Sequence, residues 1–294
     1  MFVRRSPFRE TPAAAITPAM VETWYAGRVE AVEANQRARA KGEPFPEPTN
    51  KATTLNQLTA EYKHLRTLMA FAESRGLRRP DTNPCQIEGA QTYRAKQPPA
   101  PTVAEFWRII EATPDPMHRA AFALQAAIAI RKGELAGLQR RDLTIEHDPD
   151  GTAWLRVRIE RAIHWGKAGA WDIGTPKTEG SEREQYAEPE FAAVFLEWFA
   201  QQPQIGPESF VFTRSNGKPL GRNTLRRAWE SACALAGGHW RMHSSRATVL
   251  TAFRERGADF RQIQARGGHS TVQAALRYQQ PATLESQKKL LKPR

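Results

Sequence analysis

A proline-rich segment, Ala95–Pro101 (A-K-Q-P-P-A-P), separates a shorter from a longer part of the chain. Each proline fixes the backbone and removes an amide donor, so neither a helix nor a central strand can continue through this segment. The chain of 294 residues is long enough to bury two cores. We therefore expect two domains, over residues 17–94 and 102–281, with an extended segment (1–16) before them and a tail (282–294) after them.

The first domain is predicted to contain two helices. Thr17, which a proline follows, is typical of an N-cap and opens a helix that runs to about Arg39. Thr54, with a glutamine three residues later, is typical of a capping box. The helix that it opens has apolar residues three and four positions apart, and it ends at Gly76. Its apolar face consists of Leu55, Leu58, Tyr62, Leu65, Met69 and Ala72.

The second domain is predicted to be mainly helical with one small β region, which makes the chain mainly α with a small antiparallel β-sheet (α+β). Thr102 opens it with a capping box. Ala120–Ile130 is apolar on nearly all sides, which is typical of a buried helix. Trp154–Ile159 alternates apolar and polar side chains, as a half-buried strand does. Residues 176–181 are predicted to form the turn of a hairpin, with Arg183–Tyr186 as its returning strand.

Further helices are predicted downstream of this β region. One spans the aromatic residues between Phe191 and Phe199, and a second is capped by Asn223. A third runs over Ser244–Arg256, and a capping box at Ser270 opens the last one. The helix that Asn223 is predicted to cap has three arginines on its outward side, Arg222, Arg226 and Arg227.

The charge balance favours a polyanionic partner. The formal net charge is +12 at pH 7, from 43 Lys and Arg against 31 Asp and Glu. Phosphate contacts release counterions, and this release drives basic proteins onto nucleic acid. Charge alone leaves a merely basic soluble protein as an equally good explanation.

The chain is expected in a reducing cytoplasm, with no membrane partner. No apolar run approaches the roughly 20 residues that a membrane span needs. The N-terminal residues M-F-V-R-R-S-P-F-R-E contain no apolar signal region. Cys85 and Cys233 are the only cysteines, too few for a zinc cluster or a disulfide framework.

Four polar residues in the last quarter of the domain have the chemistry of phosphodiester cleavage. His243 and Arg246 lie three residues apart, His269 follows in G-G-H-S, and Tyr278 comes nine residues later in A-L-R-Y-Q-Q. Two imidazoles, a guanidinium and a phenol can bind, attack and protonate a phosphodiester without a metal. The spacing predicts that His243 and Arg246 share one helix face. Singly, each residue has a plainer explanation, such as a structural histidine or a tyrosine at the edge of a core.

Two cations upstream complete the candidate set. Arg131 follows the buried helix in I-R-K-G-E-L, where its planar fork can bind two phosphate oxygens. It can equally pair with Glu134, and both explanations can hold together, since an acid can keep an arginine in place. Lys177, in the predicted hairpin turn, can donate a proton to a leaving oxygen, or it can be an ordinary solvated lysine.

Other chemistries lack their motifs in this sequence. The chain has no G-x-x-x-x-G-K-[ST] loop for a nucleotide, no H-E-x-x-H or Cys/His cluster for a metal, and no G-x-S-x-G turn for a serine nucleophile. We therefore expect neither a cofactor nor a metal.

Six residues in this order resemble the tyrosine recombinases, specifically the phage-type integrases. The segment A-I-R-K-G-E-L-A-G-L-Q-R-R-D-L resembles their first arginine box, H-S-S-R-A-T their second, and G-G-H-S-T with L-R-Y the box of the nucleophile. P-K-T-x-x-S-x-R is similar to the hairpin of the catalytic lysine. The resemblance covers about residues 102–280, and residues 17–90 look like the helical core-binding domain of the family. The six residues are Arg131, Lys177, His243, Arg246, His269 and Tyr278.

The resemblance implies a role for each residue. Tyr278 would attack the scissile phosphate and form a 3′-phosphotyrosyl bond, with His243 as its acid/base partner. Arg131 and Arg246 would stabilise the non-bridging oxygens, as preorganised donors do. Lys177 would protonate the departing 5′ oxygen.

Two supporting roles follow from the same resemblance. His269 would hydrogen-bond a non-bridging oxygen, and Glu134 would support the first arginine. The second box departs from the usual His-Asp-Leu-Arg-His-Thr, because Ser244 and Ser245 replace Asp and Leu, and Ala247 replaces His. No catalytic position is lost by these changes.

The resemblance also implies partners. Members of the family clamp double-stranded DNA between two domains, and four protomers exchange strands, so a homotetramer on DNA and accessory DNA-bending proteins are expected. The tail 282–294 would dock on a neighbouring protomer or fray. Two alternatives remain: a type IB topoisomerase-like nicking-closing enzyme, and a non-catalytic DNA-binding protein with a recombinase-like domain. The six filled positions argue against the second.

Overall fold

A computed structural model describes most of the chain, which divides into two compact units, residues 1–97 and 98–294. The predicted linker 95–101 begins in a part that the structure does not describe, and it stays a prediction, as does the tail 282–294. The described residues are 7–44, 54–93, 99–166, 169–175, 182–203 and 206–268.

The first unit is built on helices α1 (Pro18–Lys41) and α2 (Leu55–Ser74). Both begin where their caps predict, since the Thr17 hydroxyl accepts from the Met20 amide and the Thr54 hydroxyl from the Gln57 amide. The predicted apolar face of α2 is buried from Leu58 to Ala72.

The segment before α1 was predicted to be extended, and for residues 7–16 this is wrong. Ala13–Ala15 form a 3-10 turn, and Phe8 and Ile16 are buried. Arg78 holds the turn because its Nη1 donates to the carbonyls of Ala13 and Ile16 at 2.7 and 2.8 Å. Apolar side chains at both ends of the segment therefore fold it onto the helices.

The second unit begins with α3, whose cap is the predicted capping box of Thr102 and Glu105. Among the described residues, α-helices and β-strands precede its helical C-terminal part, together with one 3-10 turn over Arg140–Asp142. In chain order they are α3 (Val103–Glu111), α4 (Pro116–Ile128), α5 (Lys132–Gly137), β1 (Leu143–His147), β2 (Ala153–Ile159), β3 (Ala162–Trp165), β4 (Trp171–Gly174), β5 (Arg183–Tyr186) and α6 (Pro189–Ala200). They are followed by α7 (Arg222–Leu235), α8 (Ser245–Glu255) and α9 (Phe260–Gly267).

The strands form two small antiparallel sheets, which corrects the predicted hairpin. The sheet order is β1-β2-β5 in one and β3-β4 in the other, so β4 and β5 belong to different sheets. The reason is local: Gly166 donates to the Ala170 carbonyl at 2.8 Å and closes β3 and β4 into their own hairpin. β2 then pairs through Val157 with Gln185 of β5. Residues 176–181 thus connect two sheets, and they lie outside the described part.

The core of the second unit surrounds α4, in which every residue from Ala120 to Ile128 is buried as predicted. The Trp229 ring of α7 packs edge-on against Phe106 and Phe122, with ring centroids 5.4 and 5.1 Å apart. The helix ends at Ile128 rather than Ile130, because Ala129 adopts a left-handed conformation with φ 50°. This turn directs the following residues away from the helix axis.

The cap of α7 also differs from the prediction. Gly221, not Asn223, is the N-cap, so the helix begins at Arg222. Gly221 has an extended backbone with φ -72° and ψ 150°, and no side chain caps the helix there. Leu225 and Trp229 are nevertheless buried and the three arginines are exposed, as predicted. None of the described helices combines the length and the apolar character that a membrane span requires.

Candidate active site

Three of the six predicted site residues lie in the part that the structure describes. Arg131 follows α4, His243 lies just before α8, and Arg246 is on α8. Lys177, His269 and Tyr278 lie outside the described residues.

Arg131 pairs with Glu134, which is one of the two functions that the sequence predicts for this arginine. Arg131 is the N-cap of α5, where its backbone amide donates to Glu134 Oε2 at 3.0 Å and its Nη1 donates to Oε1 at 2.7 Å. The Arg131 side chain stays 26% exposed. The carboxylate therefore fixes the guanidinium while a part of it still faces solvent.

Glu134 also binds a second arginine, Arg183, which the sequence motifs do not predict as its partner. Arg183 on β5 donates from Nη2 to Glu134 Oε2 at 2.9 Å, and both side chains are buried. Burial by itself would raise the pKa of the Glu134 carboxyl. The charge and hydrogen bond of Arg183, together with Arg131, outweigh burial and hold that pKa below its ordinary value. Two guanidinium groups thus share one carboxylate, so the cluster of Arg131, Glu134 and Arg183 has a net positive charge.

Arg246 joins the C-terminal ends of two helices. It is 2% exposed, and its Nη1 donates to the carbonyl of Ala129, directly after α4. Its Nη2 donates to the carbonyl of Gly267, the last residue of α9, at 2.6 Å. Helix C-termini present carbonyls that lack partners within the helix and carry partial negative charge, so they are suitable acceptors for a buried cation.

Three successive carbonyls at the end of α9 accept from side chains of other elements. Gln185 of β5 donates to Arg266 O at 3.1 Å. Arg246 donates to Gly267 O, and Arg131 Nη2 donates to Gly268 O at 2.6 Å. The two candidate arginines therefore meet on adjacent residues, and His269 is the next residue in the chain.

Gly268 permits this close approach. It lies in the left-handed region with φ 55°, where glycine is favoured. A Cβ at this position would lie 2.7 Å from Arg183 Nη1 and 3.1 Å from Arg131 Nη1. A side chain here would displace both guanidinium groups.

His243 does not share a helix face with Arg246, which corrects the prediction. α8 begins at Ser245 with Ser244 as its N-cap, so His243 lies in the preceding turn. His243 is exposed, whereas Arg246 is buried. The reason is that Arg246 turns inward to the carbonyls described above, while the turn before the helix stays at the surface.

Arg266 fixes α9 from the other side. Its Nη2 donates to the carbonyl of Ala127 at 2.6 Å, and its Nη1 donates to the carbonyl of Tyr186 at 3.3 Å. Its guanidinium also stacks on the Phe253 ring, 4.6 Å from the centroid. The last turn of α9 is thereby tied to α4, to β5 and to α8.

The sequence does not predict Arg183, Gln185 and Arg266 as parts of this site. Arg183 is the last residue of the P-K-T-x-x-S-x-R string, so a signal existed, but nothing in the string indicates that its partner is Glu134. Gln185 and Arg266 carry no local signal, because their partners are backbone carbonyls of distant elements. Within the described ranges, no group of three His, Cys, Asp or Glu side chains could hold a metal.

The chain matches a known protein family. The profile of the phage integrase family matches residues 102–285, more than half of the chain. The chain is therefore a member of the phage integrase family, as the six residues indicate.

Related sequences agree with this membership. A protein of Mycobacterium tuberculosis strain H37Rv, named as the integrase of prophage phiRv2, is 30% identical over 280 residues, which cover 94% of this chain and 66% of the relative. The integrase of Mycobacterium phage D29 is 28% identical over 273 residues, which cover 92% of this chain and 64% of the relative. The chain thus spans slightly less than two thirds of these relatives.

Solved structures share the fold. The Tn1549 transposon integrase in complex with circular intermediate DNA has a TM-score of 0.70 at 16% identity, with 99% of this chain and 90% of that chain covered. A lambda integrase dimer bound to a COC′ core site has a TM-score of 0.59 at 15% identity, with 94% and 84% covered. The predicted fold class, mainly α with a small antiparallel β-sheet, is confirmed, with the strands arranged in two small sheets.

We expect Glu134→Gln to destabilise the chain by about 3 kcal/mol at neutral pH, because it leaves two guanidinium groups without their anion. The folded-state pKa of Glu134 is lowered. The carboxylate therefore stabilises the fold fully above the pKa of the unfolded state, which is about 4.3. This stabilisation is lost as the pH falls through the lower pKa of the folded state. Urea denaturation at several pH values should show the largest difference from wild type near neutral pH and a smaller one below about pH 4.

The matched control is Glu208→Gln, which removes an exposed ion pair with Arg141. This change should alter the free energy of unfolding by less than about 1 kcal/mol. An equal loss in both variants would contradict a special role for the Glu134 carboxylate.

We expect Gly268→Ala to cost clearly more stability than Gly237→Ala. Both glycines have positive φ, 55° and 79°, so each alanine variant bears about 1–2 kcal/mol of backbone strain. A Cβ at Gly237 meets open space, whereas one at Gly268 meets Arg183 and Arg131. Thermal denaturation of the two variants checks this, and equal melting temperatures would show that the arginines do not pack as described.

Proposed function

We propose that the chain is a site-specific DNA recombinase of the integrase type, which cleaves and rejoins DNA through a 3′-phosphotyrosyl intermediate. Membership of the phage integrase family supports this proposal. So do the solved structures of the Tn1549 and lambda integrases, in which these relatives are bound to DNA. The net charge of +12 fits a DNA substrate.

The observation that carries the proposal is the convergence of Arg131 and Arg246 on the carbonyls of Gly268 and Gly267. The chain brings two guanidinium groups, from positions more than a hundred residues apart, to the residues directly before His269. Two of the six motif residues, Arg131 and Arg246, thus contact the end of α9. The roles of all six residues, with Lys177, His243, His269 and Tyr278 as the other four, stay predictions from the sequence.

In the proposed reaction, Arg131 and Arg246 bind the non-bridging oxygens of the scissile phosphate. Preorganised donors stabilise the charge that develops there, and a low-dielectric setting strengthens them. An anionic phosphate is a stronger acceptor than a peptide carbonyl, so it can compete for guanidinium N–H groups that now bind backbone. Glu134 keeps Arg131 in place, and His269 donates a further hydrogen bond to a non-bridging oxygen.

Tyr278 is the proposed nucleophile. Its phenolic oxygen attacks the phosphorus in line, and its proton passes to His243. The bond from phosphorus to the 5′ oxygen breaks, and Lys177 supplies the proton that this oxygen needs. The product is a 3′-phosphotyrosyl bond and a free 5′ hydroxyl.

Rejoining reverses these steps with another strand. A 5′ hydroxyl gives its proton back through the lysine and attacks the phosphotyrosine, while His243 returns a proton to the phenol. The phosphoester bond energy is kept in the protein–DNA linkage, so the exchange consumes no ATP.

A basic surface beside Arg131 is the proposed contact with the DNA backbone. Lys132 lies over the Trp165 ring, 5.2 Å from its centroid, and its Nζ donates to the Arg222 carbonyl at 3.5 Å. Burial lowers the pKa of Lys132, and the charges of Arg222 and Arg226 lower it further, so the local potential is positive. With the exposed Arg227 of α7, this surface suits a run of phosphates.

The proposal includes the expected assembly. A homotetramer on double-stranded DNA, accessory DNA-bending proteins and a cytoplasmic setting follow from the family. The two cysteines are both free and buried, in keeping with a reducing compartment.

The test is covalent capture. Nicked duplexes tiled across the DNA that flanks the gene serve as substrates, because mobile elements often carry their own sites. We expect the full chain to form an SDS-resistant complex with one of them. Tyr278→Phe should abolish this complex and keep the DNA affinity, since it removes only the nucleophilic oxygen.

Other results would change the proposal. Capture by the phenylalanine variant would remove Tyr278 from its role. Binding without capture by wild type would favour a non-catalytic DNA-binding protein. Relaxation of a supercoiled plasmid without any such site would favour the topoisomerase-like alternative.

A further inference from the structure

Gln125 is the one polar side chain in the run Ala120–Ile128 on the buried helix α4. It is 2% exposed, and a buried amide is costly unless it is hydrogen-bonded. Its Nε2 donates to the Met242 carbonyl at 3.1 Å and to the Ser245 hydroxyl at 2.8 Å. The amide thus connects α4 to the segment that carries His243.

Ser245 completes this connection. It is fully buried at the start of α8, and its hydroxyl donates to the same Met242 carbonyl at 2.6 Å. The hydroxyl has one proton, so it accepts from Gln125 and donates to Met242, which makes the directions of the three bonds consistent. Gln125 of α4 and Ser245 of α8 therefore both donate a hydrogen bond to the carbonyl of Met242, the residue directly before His243.

The turn that contains His243 is also held by hydrogen bonds between Ser244 and Arg241. The hydroxyl and the amide of Ser244 donate to the Arg241 carbonyl at 2.7 and 2.9 Å. His243 lies between these two attachment points, outside the regular hydrogen bonding of α8. The backbone position of His243 relative to Arg246 therefore depends on the hydrogen bonds of Met242 and Ser244 as well as on the start of the helix.

We propose that Gln125 and Ser245 are positioning residues that set the location of the His243 imidazole in the cleavage reaction. The inference rests on the proposed function, in which His243 accepts the proton of Tyr278. A polar pair in the core is a directional way to fix this turn, because hydrogen bonds specify an orientation that apolar packing does not.

The test variant is Gln125→Met, which removes both donors and keeps the length of the side chain. A displacement of about 1 Å at a reacting group can cost up to about a hundredfold in rate. We expect the cleavage rate at saturating duplex to fall by about tenfold or more, while the Kd for the uncleaved duplex stays within about twofold. Ser245→Ala should act similarly, and the double variant should be no slower than the slower single variant, because the pair acts as a unit. Ser245→Thr keeps the hydroxyl and should restore most of the rate.

The matched control is Thr113→Val. Thr113 is buried, and its hydroxyl donates to the Ile109 carbonyl at 2.7 Å, before α4 begins. This variant should lower the melting temperature and leave the cleavage rate unchanged. A loss of rate equal to that of Gln125→Met would mean general destabilisation and would overturn the inference.

A second measurement separates this inference from the proposed function. The ring signals of His243 are followed by NMR in the full chain with labelled histidine, with His243→Gln for assignment. Gln125→Met should shift the His243 signal, and Thr113→Val should not. If wild type captures DNA and Gln125→Met cleaves at the wild-type rate, the inference is overturned. If wild type captures no DNA, the proposed function fails, and an unshifted His243 signal then overturns the inference on its own.

Discussion

The buried guanidinium of Arg246 is the interaction on which the rest of the site depends. It donates to the carbonyl after α4 and to the last carbonyl of α9, and so joins two helix ends that are far apart in sequence. A buried cation is stable only when its donors are satisfied, and the helix C-termini supply acceptors with partial negative charge. Once these ends are joined, Arg131 reaches the next carbonyl, and the residue before His269 is fixed. The positions of both arginines relative to the end of α9 therefore follow from one set of main-chain contacts.

A carboxylate shared by two arginines gives the same site its charge. Glu134 binds Arg131 and Arg183, so two positive groups oppose one negative group. A buried ion pair of this kind is weak evidence for stability, because desolvation offsets much of the attraction. Its effect on geometry is clearer: Arg131 is held by bonds from its own backbone amide and side chain and stays partly exposed. The excess of positive charge is what a scissile phosphate would neutralise.

Much of the local structure was predictable because its causes are local. The caps at Thr17 and Thr102, the burial of α4 and the alternation in β2 all follow from side chains within a few residues of each other. The wrong predictions share the opposite property. β4 pairs with β3 and not with β5, the cap of α7 is Gly221, and His243 does not share a helix face with Arg246. In each case a turn or a distant side chain overrides the local pattern.

By itself the sequence determined the order of the catalytic candidates, the class of fold and the chemistry that six residue types in that order can perform. It also contained both explanations of Arg131, the pairing with Glu134 and the position at a candidate site. Only the tertiary structure decided that Arg183 shares the carboxylate, that Arg246 is buried between two helix ends, and that Gln125 binds the turn before His243. The physical reason is that these partners are backbone carbonyls or side chains of remote elements. Such hydrogen bonds leave no periodicity or spacing in the sequence, since any residue can present a carbonyl.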